Sequence, residues 1–81
     1  MRLWAKINEG IELHLGDKRV SKLEVVNPQG THLIVNVQVQ VLENAFATYQ
    51  ISWMIEGGWT CDCLTTAEDL ISQAGTSTLE Y

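Results

Sequence analysis

The stretch His32-Leu33-Ile34-Val35-Asn36-Val37-Gln38-Val39-Gln40-Val41-Leu42 decides the fold. Leu33, Val35, Val37, Val39 and Val41 fall on one side of an extended chain, and Asn36, Gln38 and Gln40 fall on the other. Successive side chains of a strand point to opposite faces, so this pattern reads as a half-buried antiparallel strand. Residues 46–55 repeat it, with Ala47, Tyr49, Ile51, Trp53 and Ile55 inward and Thr48, Gln50 and Ser52 outward. A tight loop at Glu43-Asn44-Ala45 then makes a hairpin with Val41 opposite Ala47 and Val37 opposite Ile51.

The next turn, Glu56-Gly57-Gly58, admits two registers. A two-residue Gly57-Gly58 loop sets Trp53 against Asp62 and mixes the faces. A three-residue loop with Gly58 left-handed sets Trp53 against Cys61 and Ile51 against Cys63, which keeps one apolar face. On the N-terminal side, Leu3, Ala5 and Ile7 alternate with Arg2, Trp4 and Lys6, and Ile11, Leu13 and Leu15 with Glu12 and His14. A loop at Asn8-Glu9-Gly10 would make these a hairpin, pairing Ile7 with Ile11, Lys6 with Glu12, and Trp4 with His14. Gly16-Asp17-Lys18 makes a turn, residues 19–26 a less regular strand, and Asn27-Pro28-Gln29-Gly30 a turn in which Pro28 presets the backbone.

One helix is expected at the end. Thr65-Thr66-Ala67-Glu68-Asp69 offers a capping box, Ala67, Leu70, Ile71 and Ala74 share a face, and Gly75 supplies a stop. The expected fold is α+β, one domain over residues 1–81. Its core is an antiparallel meander of five to six short strands, with a single C-terminal helix packed on the apolar face. A small, partly open β-barrel plus helix is the alternative.

The 81 residues carry a net charge of −5, distributed unevenly. Arg2, Lys6, Lys18, Arg19 and Lys22 are all the cations of the chain, and seven of the ten acids follow residue 22. Polyanions can therefore dock only on the N-terminal part, while basic partners are drawn to the rest. The chain has no run of about 18 apolar residues, and its N-terminus lacks the apolar stretch of a signal peptide, so a cytoplasmic protein without membrane contact is expected.

Chemistry-bearing motifs are sparse. Cys61 and Cys63 are spaced more closely than paired zinc ligands and lack a second pair, and His14 and His32 stand alone, so no metal is expected. Side chains two apart on a strand lie about 7 Å apart, which also argues against a disulfide between the cysteines. Neither Gly-x-Ser-x-Gly nor a phosphate-cradling glycine motif is present, so neither catalysis nor a cofactor is expected.

Two surfaces remain as candidates. Arg2, Trp4, Lys6, Lys18, Arg19 and Lys22 interleave cations with an aromatic, the composition that contacts phosphates and bases. The overall acidity weighs against nucleic acid. Asn36, Gln38, Gln40, Thr48, Gln50 and Ser52 form a polar but uncharged patch, with Leu42 and Phe46 paired at its end. Charge is depleted at interface cores, so this patch points to contact with protein, either a second copy or a different partner. The expected function is a non-catalytic interaction module. Its size and acidity suit an inhibitor or adaptor of a basic partner such as a nucleic-acid-handling protein, in the style of small phage and mobile-element proteins. A nucleic-acid binder and a structural homo-oligomer are the alternatives.

Overall fold

The computed structural model describes residues 2–78, with side chains through residue 73. Leu79 and Tyr81 lie outside the described residues. Six elements follow one another: α1 (Leu3–Leu15), β1 (Arg19–Pro28), β2 (His32–Leu42), β3 (Ala45–Met54), β4 (Gly58–Cys63) and α2 (Ala67–Thr78). The four strands make one open antiparallel sheet in the order β1-β2-β3-β4. The fold is α+β, and the sheet does not close into the alternative barrel.

Residues 3–15 depart most from expectation. They form helix α1, so the hairpin at Asn8-Glu9-Gly10 and its two extra strands do not exist. Both periods are written in this segment. Leu3, Ala5 and Ile7 alternate, but Leu3, Ile7, Ile11 and Leu15 also recur every fourth residue, along one stripe of a helix. The second reading wins because the sheet has an apolar face that needs a cover. Ile7 and Leu15 are fully buried against Leu33, Val35, Val37, Val39, Ala47 and Ile51, with Leu3 and Ile11 packed at the margin. Leu13, inward in a hairpin, is instead 65 % exposed.

The inner face follows the expected alternation, but both hairpin registers are displaced by two residues. Val39 faces Ala47 and Val35 faces Ile51, because Glu43 and Asn44 alone make the turn and Val41 bulges out of the pairing. Trp53 faces Trp59 and Ile51 faces Cys61, with Ile55, Glu56 and Gly57 forming the three-residue loop. A shift of two keeps every paired side chain on its face, whereas a shift of one would have exposed the core. Gly58 has φ +72°, the left-handed conformation that this loop requires and that glycine adopts without strain. The irregularity of β1 has a definite form: Ser21 and Val26 are both skipped in its pairing with β2.

Helix α2 starts as its sequence implies. Asp69 N–H donates to Thr66 Oγ1 at 3.1 Å, and Thr66 N–H donates back to Asp69 Oδ2 at 3.2 Å, a reciprocal cap. It does not stop at Gly75, which lies inside it, because one glycine weakens a helix by only about 1 kcal/mol. Nor does it cover the apolar face. Leu70 reaches the margin of the core, while Ile71 is 70 % exposed.

What α2 does is close the edge of β3 beyond the end of β4. Leu64 N–H donates to Thr48 O at 2.8 Å, and Thr48 N–H donates to Thr65 Oγ1 at 2.8 Å. Two residues along, Phe46 N–H donates to Gln73 Oε1 at 2.8 Å and Gln73 Nε2 donates to Phe46 O at 3.0 Å. One carboxamide thus supplies both bonds that a neighbouring strand would make, and the edge is protected from pairing with another chain. Gln73→Ala removes both at once. An unsatisfied, half-buried backbone pair should lower stability by about 1–2 kcal/mol. At about 4–8 °C per kcal/mol this is readable as a loss in thermal midpoint.

Candidate interaction surface

Because α1 covers the inner face, the other face of the sheet is left open. Its side chains come in rows set by the strand pairing: Asn36 beside Gln50, Gln38 beside Thr48, Gln40 beside Phe46 and Ile34 beside Ser52. On the flanks, β1 adds Lys22 beside Gln38 and Glu24 beside Asn36, and β4 adds Asp62 beside Gln50. Seven of the eight residues expected to meet a partner therefore share one face. Leu42 is the exception, and its pairing with Phe46 is not formed. The bulge at Val41 sets Leu42 opposite the fully buried Ala45, outside these rows, while Phe46 faces Gln40.

The amides are held in place. Gln50 Nε2 donates to Asn36 Oδ1 at 3.0 Å, Ser21 Oγ donates to Gln38 Oε1 at 3.1 Å, and Gln40 Nε2 donates to Glu43 O at 3.0 Å. Lys22, Glu24, Asn36, Gln38 and Thr48 rim a depression of about 140 Å³, below the roughly 300 Å³ of small-molecule pockets. Thr65, just before α2, and Asp69 and Gln73 of α2 stand beside Gln38, Phe46 and Thr48 as one wall of a shallow groove of about 370 Å³. The surface is broad, mostly uncharged and preordered.

The cations do not gather on one surface. Arg19 and Lys22 lie on the open face of β1, with Lys18 in the turn before it, beside Asp17 at 3.6 Å. Arg2, Trp4 and Lys6 belong to α1 and its N-terminal boundary, on the other side of the sheet. Trp4 is 56 % exposed and, with no hairpin formed, does not sit opposite His14. Lys6 pairs with Glu9 at 3.3 Å, one helical turn on, rather than with Glu12, and its Nζ stands 4.7 Å from the Trp53 ring. Glu9 also accepts a hydrogen bond from Trp59 Nε1 at 3.0 Å. The indole N–H first and Lys6 second hold the Glu9 carboxyl below its usual range.

Cys61 is half-buried and Cys63 exposed on the edge strand β4, and Cys63 Sγ lies 3.3 Å from Thr65 O. Burial, and then the neighbouring Asp62 charge, raise the Cys61 thiol, which keeps it protonated and unreactive at neutral pH. Among the described residues, no three His, Cys, Asp or Glu side chains converge as metal ligands. No described helix is long and apolar enough to cross a membrane. The chain matches no protein-family model, and no curated protein or solved structure is significantly similar to it. The functional reading rests on the surface itself.

Proposed function

We propose that this chain is a non-catalytic interaction module that works by laying the open face of β2 and β3 on a protein surface. The observation that carries the reading is the row structure of that face. Asn36, Gln38, Gln40, Thr48, Gln50 and Ser52 stand together without a charge among them, with their amides already fixed by internal hydrogen bonds. A solvated sheet face has no need of such neutrality, whereas an interface core avoids burying charge. Prior ordering of the side chains also lowers the entropy lost on binding. The acids outside this face suit a basic partner, so an inhibitor or adaptor of a nucleic-acid-handling protein is the finer form of the proposal.

The test is the double variant Gln38→Lys with Gln50→Lys, which puts two charges in the middle of the face. Association should weaken at least tenfold, measured by sedimentation for self-association and by quantitative affinity capture for a foreign partner. Both positions are surface positions, so the change in stability should stay near 0.5 kcal/mol per site. The thermal midpoint should then move by no more than about 4–8 °C. Undiminished association in a folded double variant would remove the reading.

A further inference from the structure

The open face has a charge pattern that complements itself. Lys22 and Glu24 are neighbours on it, about 7 Å apart along β1, beside Gln38 and Asn36 respectively. The two central strands between them and Asp62 carry no charge on this side. We infer that the face is the interface of a two-fold homodimer in which two sheets stack with their strands antiparallel. Lys22 of each copy then meets the partner's Glu24. The inference rests on the interaction reading above and names its partner as a second copy of this chain.

The geometry follows from the rows. A two-fold contact requires that if one residue meets a second, the second also meets the first. An axis running across the strands at the level of Val37 lies midway between the Lys22 row and the Glu24 row. It exchanges those rows, so Lys22 meets the partner's Glu24, Gln38 meets the partner's Asn36, and Thr48 meets the partner's Gln50. Two reciprocal ion pairs form at one flank, and no like charges carried by the strands are opposed. An axis running along the strands would instead set Glu24 against the partner's Asp62, which shares its row, and like charges would repel. Among the strand charges, the pattern therefore favours the antiparallel stack.

The area is sufficient. Ten-residue strands at about 3.3 Å per residue, four across at about 4.8 Å, give the face roughly 550 Å² once the shorter β4 is allowed for. A pair buries about 1,100 Å², above the roughly 1,000 Å² expected of a specific interface. A contact at the low end of the range for specific interfaces suits a weak, concentration-dependent dimer.

The experiment is sedimentation of the full chain from micromolar to millimolar concentration, with two charge reversals. Wild type should pass from monomer to dimer. Lys22→Glu and Glu24→Lys, each alone, should raise the dissociation constant at least tenfold, since each stacks two like-charged pairs. Mixed in equal amounts, the two variants should form a heterodimer at least as tight as the wild-type dimer, a rescue that misfolded chains cannot produce. A wild type that stays monomeric at millimolar concentration would overturn the inference and leave a foreign partner for the face. A dimer insensitive to both reversals but lost in Gln38→Lys with Gln50→Lys would overturn the stacking geometry alone. A dimer that survives that double variant as well would overturn the inference and the interaction reading together.

Discussion

Ile7→Ala is expected to lower stability by about 2–5 kcal/mol, while Leu13→Ala leaves it within about 0.5 kcal/mol. Ile7 is fully buried against the valines of β2, and truncating it leaves a cavity between helix and sheet that rigid strands cannot fill. Leu13 is 65 % exposed on the same helix and loses little when shortened. A chain of 81 residues at about 0.05–0.15 kcal/mol per residue has roughly 4–12 kcal/mol in all, so the first variant gives up a large share of the total. Urea melts followed by far-ultraviolet circular dichroism would report both. The contrast is diagnostic of α1, because an N-terminal hairpin would place Ile7 and Leu13 on one inner face. Equal losses at the two positions would contradict the helix.

That contrast also marks where sequence reasoning ran short. The long strands were legible because alternation over eleven residues in β2 cannot be mistaken for a helical stripe. Their faces survived a register error of two, since parity is what the hydrophobic pattern encodes, while the bulge at Val41 that caused one shift leaves no mark in it. Gly58 and the Thr66–Asp69 cap were legible because their requirements are local. Residues 3–15 were not, since short apolar spacings fit either period and only the uncovered sheet decides between them. The edge-closing role of Gln73 depends on two elements meeting 27 residues apart. The open face was visible as a neutral run, but its partnering of Asn36 with Gln50 needed the true register. The placement of Lys6 and Trp4 away from Lys22 needed the true helix.

The close approach of α1 to the sheet depends on Gly10, and Gly10→Leu is expected to lower stability by about 3 kcal/mol. Gly10 is buried in the middle of the helix, and a Cβ placed on it would fall 2.7 Å from Cδ2, Cε2 and Cε3 of Trp59. The indole lies on the bare helix backbone there. It cannot swing aside freely, because its Nε1 donates to Glu9 Oε2 one residue earlier and it is paired with Trp53 across β3 and β4. Leucine favours a helix over glycine by close to 1 kcal/mol, so intrinsic propensity acts in the opposite direction and any loss reports the clash. Asn8→Ala, an exposed site on α1, provides the control and should be neutral or slightly stabilising. Shrinking the indole should relieve the clash. In a Trp59→Leu background the further loss from Gly10→Leu should fall to well under half its value in wild type, and the difference is the coupling between the two sites. Additive losses in that cycle would mean that Gly10 does not rest on Trp59. Helix α1 would then have to be held over the sheet by the apolar stripe of Leu3, Ile7, Ile11 and Leu15, with the Lys6–Trp53 contact and the Trp59–Glu9 hydrogen bond.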